Sequence, residues 1–218
     1  MKALTAGDIV LASPTETTRV LVNQHRTVKV YSSMVTLEHE SGSLTLTPDH
    51  VVYADGAFKP AGAVGVGALL EPASKVTKVS QTAQGIINPL TTSGTILAAG
   101  PTGAPVVSSA LSEWIADLIL GSNFSPLSYS LSSIAAYFFP HQVQAFYDAQ
   151  LEQFFTATAS DLKDLKAAVP APVALAIIAV FDLACVGTFT MWALFSVKGA
   201  IALLAVATIA KSRRSVKP

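Results

Sequence analysis

Along residues 1 to about 109, apolar and polar positions alternate in short runs, each closed by a turn signal. This is the period-two pattern of strands half buried against a core, with helical periodicity nearly absent. The runs are RVLV (19–22), TVKVY (27–31), MVTLEH (34–39), LTLT (44–47), HVVY (50–53), KVTKVS (75–80) and GTILAAG (94–100). Their breakers are Ser13-Pro14, Ser41-Gly42, Asp55-Gly56, the glycine-rich 61–68, Asn88-Pro89 and GPTGAP (100–105). The pattern predicts an all-β body, barrel-like or sandwich-like. Asp55-Gly56 suits a hairpin turn, because both central positions of such turns need positive φ. The glycine-rich GAVGVG opens no helix and is followed by no Lys-Ser/Thr, so a phosphate-binding loop is set aside.

From about residue 110 the period changes. Leu111, Trp114, Ile115, Leu118 and Ile119 fall at helical spacing, as do Val143, Phe146, Tyr147, Leu151, Phe154 and Phe155. A polar, small-residue connection, GSNFSPLSYSLSS (121–133), separates the two sets, and SDLKDLK (160–166) opens on Ser160 as an expected N-cap. The aromatic stripe reads as ordinary packing surface or as a lipid-contact face. Residues 172–210 are nearly unbroken apolar sequence, interrupted by Asp182 and Lys198 and ended by KSRRSVKP. About 20 apolar residues span a bilayer, so one spanning helix with an extension and a tight pair of helices both fit. The expected organisation is a β domain over 1–110, an amphipathic helical region over 111–170, membrane segment over 171–211 and a basic tail over 212–218.

Composition narrows the function. The 218-residue chain has zero formal net charge and only 13% charged residues, so it lacks the electrostatic footprint of a nucleic-acid partner. Cys185 is the single cysteine, which excludes an internal disulfide and a cysteine-based metal site. The start, MKALTAGDIVLAS, is not a secretory signal peptide, having one Lys and no long apolar core.

The candidate chemistry lies at the bend in LTLTPDHVVYADG (44–56). There Thr47 and His50 place a hydroxyl and an imidazole between two expected strands. Such a pair can polarise a carbonyl or pass a proton; equally, Thr47 can cap the turn with His50 an ordinary half-exposed residue.

Three blocks in this chain resemble the Hint module, the self-processing domain of hedgehog-type proteins that is related in fold to inteins. MKALTAGDIVLAS (1–13) is similar to the family's "lGD-x-Vla" strand entry, LTLTPDHVV (44–52) to its T-x-x-H block, and GIINPLTTSGTILAAG (85–100) to its "P-L-T-x-x-G-T-I" stretch. They occur in family order over about half the chain; beyond residue 110 no detailed match is found. The resemblance implies a mainly β Hint-like (hedgehog/intein) domain, followed here by helical segments and a C-terminal transmembrane helix. It implies a reaction in which a junction cysteine attacks the preceding carbonyl, forming a thioester, and a second nucleophile, often a sterol hydroxyl, releases the upstream segment. Thr47 and His50 would then supply donors and a proton to the scissile amide. His25, in QHR (24–26), is a further candidate for activating the second nucleophile, and Ser109, in VVSSA (106–110), stands roughly where hedgehog-type members carry a second cysteine. No cofactor or metal is implied. The expected partners are the precursor's own upstream segment and membrane lipid, a sterol included, in the secretory pathway or at the cell surface. A single span would leave the C-terminal tail in the cytoplasm. The family's nucleophilic cysteine heads the first strand, upstream of the "lGD" block, whereas Met1 stands inside that block. The sequence is therefore expected to be a self-processing domain without its nucleophile segment, or a noncatalytic Hint-like module tethered to a membrane.

Overall fold

The computed structural model describes residues 3–25, 31–100, 103–112 and 130–196, with Ile201 and Leu204. The chain divides into two compact units, Met1–Ala168 and Val169–Pro218.

The first unit is a set of antiparallel strands joined by tight turns: β1 (Ile9–Leu11), β2 (Thr17–Gln24), β3 (Tyr31–His39), β4 (Gly42–Leu46), β5 (His50–Ala54), β6 (Ala57–Pro60), β7 (Leu69–Leu70), β8 (Ser74–Gly85), β9 (Asn88–Thr91), β10 (Thr95–Ala98) and β11 (Val106–Ser112). They form a small sheet ordered β1-β2-β9 and a larger one ordered β10-β11-β5-β7-β8-β3-β4, with β6 paired to β5. Alternation places Leu37, Leu44, Leu46, Val52, Leu70, Val76 and Val106 in one core, and Leu37, Val52 and Leu70 are fully buried. The expected hairpin is present. Asp55 and Gly56 take φ of +52° and +81°, the both-positive geometry of a type I′ turn, and Tyr53 stands opposite Phe58.

Each expected strand has a counterpart except TVKVY, of which only Tyr31 lies within the described residues. Three details differ from the sequence reading. Asn88-Pro89, expected as a break, begins β9. Proline is tolerated there because β9 is the edge of the small sheet, where a missing N–H leaves no ladder bond unmade. Leu111, expected in a helix, lies in β11, whose start pairs with β10 through Val106 opposite Ala98; Trp114, Ile115, Leu118 and Ile119 lie outside the described residues. Ser160 is no N-cap, because the helix around it has already begun at Glu152.

Helices follow in the same unit: α1 (Leu131–Phe138), α2 (Pro140–Phe146), a π-helical turn (Tyr147–Leu151) and α3 (Glu152–Ala168). Ser130 caps α1, its side chain accepting from Ser133 N at 3.0 Å, and Pro140 starts α2, where its missing N–H costs nothing. Val143, Phe146 and Tyr147 are buried, so this part of the aromatic stripe is packing surface; Phe154 is exposed. The buried Gln144 amide fixes α2 to β2 by imitating a strand. Its Oε1 accepts from Asn23 N at 2.7 Å and its Nε2 donates to Asn23 O at 3.1 Å. Nearby, Arg19 donates to Tyr137 O at 3.2 Å and lies over the Tyr137 ring.

The second unit holds α4 (Ala171–Phe195), preceded by Pro170 and ended by extended backbone at Ser196. Over Ala176–Phe195 it is long and apolar enough to cross a membrane. Val180, Leu183 and Phe195 are exposed along it.

Candidate functional site

The bend between β4 and β5 is fixed from several sides. His50 N donates to Thr47 O at 3.2 Å, closing the turn, and Gly62 N donates to Pro48 O at 2.9 Å. A Cβ at Gly62 would stand 3.2 Å from Pro48, so glycine is what allows this approach. Thr47 is buried, and its hydroxyl is hydrogen-bonded to His50 Nδ1. Asn88, on β9 of the other sheet, is a polar neighbour of the imidazole and favours the proton on it. Asn88 Nδ2 donates to Gln24 Oε1 at 2.9 Å.

Burial is the main influence on His50 and lowers its proton affinity. Nearby Asp49 and Asn88 act against this, and the neighbouring His25 adds to it. Lowered affinity keeps the imidazole neutral at rest. It also makes the imidazolium, once formed, a stronger acid toward a leaving amine.

A cavity of about 60 Å³ opens beside this pair, walled by Thr47, His50, Asn88, Ile96, Ser108 and Ser109, among others. The structure thus brings Thr47, His50 and Ser109 to one cavity where the two sheets meet. Ser109 is buried with its hydroxyl donating to Gly94 O at 3.0 Å, so its proton is engaged with the backbone.

His25 follows β2 with a left-handed backbone, φ +58°, and lies within electrostatic reach of His50. Burial lowers its proton affinity, while Glu152 acts in the opposite direction. Asn88 and Gln24 were not among the expected site residues, although Gln24 adjoins His25 and Asn88 lies within the third sequence block. Glu152 stands on a helix that no block covers. Among the described residues, no group of three or more His, Cys, Asp or Glu side chains is placed to hold a metal ion. Arg26 lies outside the described residues.

No family model and no curated protein matches the chain. Among solved structures it is similar to the Msm DnaB1 intein splicing domain, solved bound with zinc, at 18% identity over 49% of this chain and 86% of that one, with a TM-score of 0.41. It is similar also to the MchDnaB-1 intein, at 14% identity with the same coverage and TM-score.

Proposed function

We propose that residues 1 to about 110 are a Hint-type self-processing module that works through a thioester, carried on a chain that α4 attaches to a membrane. The observation that carries this reading is the Thr47 to His50 hydrogen bond at the wall of the inter-sheet cavity. Support comes also from the way two blocks distant in sequence meet there. The T-x-x-H block brings Thr47 and His50, and the block over 85–100 brings Asn88 and Ile96 to the same cavity. The remaining block, around Gly7-Asp8, is tied to β2 by Gly7 N donating to Val20 O and Val20 N donating to Asp8 O, each at 2.8 Å.

In this reading a cysteine thiolate attacks the carbonyl carbon before it; the C–N bond breaks as the C–S bond forms. An amine is a poor leaving group unless protonated; His50, neutral at rest, takes the proton of the cysteine thiol as the thiolate forms and gives it to the departing amine, while Thr47 holds the ring. A second nucleophile, a sterol hydroxyl or water, then attacks the thioester and frees the upstream segment.

The test is a fusion that places a reporter and a Cys-led strand ahead of the chain. Dithiothreitol or hydroxylamine should release the reporter, since both attack thioesters. No release under either reagent would refute the reading and leave a noncatalytic binding module.

A further inference from the structure

The first helix of the extension turns its apolar side outward. A helix packed on a sheet buries its large apolar residues and leaves polar ones in water. In α1 the buried residue is the small Ala136, while Leu131, Ile134 and Phe138 are exposed. These three recur at positions i, i+3 and i+7, so they form one stripe, and Ala136 lies on the opposite side of the helix. Phe139, where the helix ends, continues the stripe; Phe138 is 68% exposed and Phe139 54%.

The first sheet enlarges this face. Arg19, on β2, donates through Nη1 to Tyr137 O at 3.2 Å, and its guanidinium lies 5.0 Å from the centre of the Tyr137 ring. Ile9, on β1, stands opposite Arg19 in register, so the two side chains share one face of the sheet. Ile9 is exposed, and so is Leu11 two residues on. Contiguous apolar surface of this kind marks a contact face.

Charge and chain connection say what the face meets. No Asp, Glu, Lys or Arg occurs between Asp117 and Asp148, so placing α1 in an apolar medium withdraws no side-chain charge from water. The cation at the rim is Arg19, whose further N–H donors suit a lipid phosphate, and it lies against a tyrosine, a residue enriched where a bilayer meets water. Only Val169 and Pro170 separate the end of α3 at Ala168 from the start of α4 at Ala171. Over Ala176–Phe195 α4 is long and apolar enough to cross a membrane. A tether that short makes binding of the same bilayer an intramolecular event, so modest interfacial affinity suffices. A second copy of the chain has no such advantage.

We propose that the exposed face of α1 docks on phospholipid, at the surface of the bilayer that α4 spans. Leu131, Ile134, Phe138 and Phe139 enter the boundary between headgroups and acyl chains, with Arg19 and Tyr137 at the level of the phosphates. This rests on the membrane attachment in the reading above.

Nitroxide labels on the full chain in phosphatidylcholine vesicles test it. With the native thiol removed by Cys185→Ser, single labels are introduced through Ile134→Cys, Phe138→Cys, Val66→Cys before β7 and Leu183→Cys in α4, all at exposed positions where a label displaces no core packing. Collision with oxygen, which concentrates in lipid, is compared with collision with a water-soluble nickel chelate. Labels at 134 and 138 should lie about 5–10 Å into the headgroup and acyl boundary, with an oxygen-to-nickel ratio several-fold above that at 66; the label at 66 should behave as in water and that at 183 as in lipid. Water-like collision at 134 and 138, with 183 still in lipid, overturns the proposal. Protection of 134 and 138 from both reagents overturns it equally, since protein then covers the face, and spin–spin broadening would identify that protein as a second copy. Water-like collision at 183 would instead refute the membrane anchor, and with it the reading on which the docking rests.

Discussion

The Thr47 hydroxyl and the His50 imidazole are joined through Nδ1 across the bend between β4 and β5, with Asn88 of the opposite sheet a polar neighbour of the same ring. Loss of either partner should have different consequences. His50→Ala removes the proton donor and should abolish thiolysis of the reporter fusion. Thr47→Ala keeps the imidazole but removes the hydroxyl that holds it and should slow thiolysis by about 10²-fold, within the range for a positioned acid–base group. Thr47→Ser, which keeps the hydroxyl, should stay close to the unaltered rate. Full thiolysis in His50→Ala would remove the assignment.

Acid should destabilise the fold beginning near neutral pH. His25, His39 and His50 all have proton affinities lowered, in each case chiefly by burial. The unfolded chain, with histidines at about 6.5, then binds more protons than the folded one as pH falls below that value. Stability is fully present above about pH 7 and declines through the window below about 6.5, down to the lowered folded-state values. Asp55 is lowered by the Leu69 N–H and by Lys59, so its contribution is lost only below the ordinary carboxylate range and does not overlap this window. Urea midpoints of the detergent-solubilised chain should be lower at pH 5.5 than at pH 7.5; equal midpoints would contradict the account.

Gln144 offers a test of the joint between sheet and helices. Gln144→Ala leaves the N–H and the C=O of fully buried Asn23 without the partners they have in the structure. Each such loss costs about 1–3 kcal/mol, so the variant should lose about 2 kcal/mol or more by urea denaturation. A change under about 0.5 kcal/mol, the range of ordinary surface substitutions, would show that the pairing is dispensable.

The hairpin at Asp55-Gly56 isolates a purely conformational cost. A Cβ on Gly56 would meet nothing within 4 Å, yet φ there is +81°. Gly56→Ala should therefore destabilise by about 1 kcal/mol through backbone preference alone. A neutral result would mean that the turn relaxes to another type.

What the sequence made legible follows from how local each signal is. Alternation in MVTLEH and LTLT, and the Asp-Gly turn, are decided by neighbours a few residues away, and these elements lie where expected. Pro89 misled because a proline reads as a break unless the strand is known to be an edge, which depends on β2 arriving from elsewhere in the chain. Leu111 misled because a few apolar residues after a serine pair fit either period; pairing with β10 and β5 decides for strand β11. At the site, Thr47 and His50 are neighbours in a motif and could be singled out. Asn88 approaches only when the two sheets meet.

Membrane attachment through α4 carries the last prediction. The 25 residues of Ala171–Phe195 make a helix of about 37 Å at 1.5 Å per residue, more than the roughly 30 Å of a hydrocarbon core. The helix stops at Ser196, and helical geometry returns at Ile201 and Leu204, so one span and a hairpin of two remain the arrangements to separate. Basic residues near the span favour the cytoplasm. Lys211, Arg213, Arg214 and Lys217 follow it, against Lys163 and Lys166 before it. A single span should therefore set the tail in the cytoplasm and the β domain on the lumenal side, where a secreted upstream segment would be processed. With glycosylation tags near residue 56 and after Pro218, only the first should be modified. Modification of neither would indicate a hairpin with both ends cytoplasmic. Release of the chain from membranes by alkaline carbonate would overturn the anchor altogether.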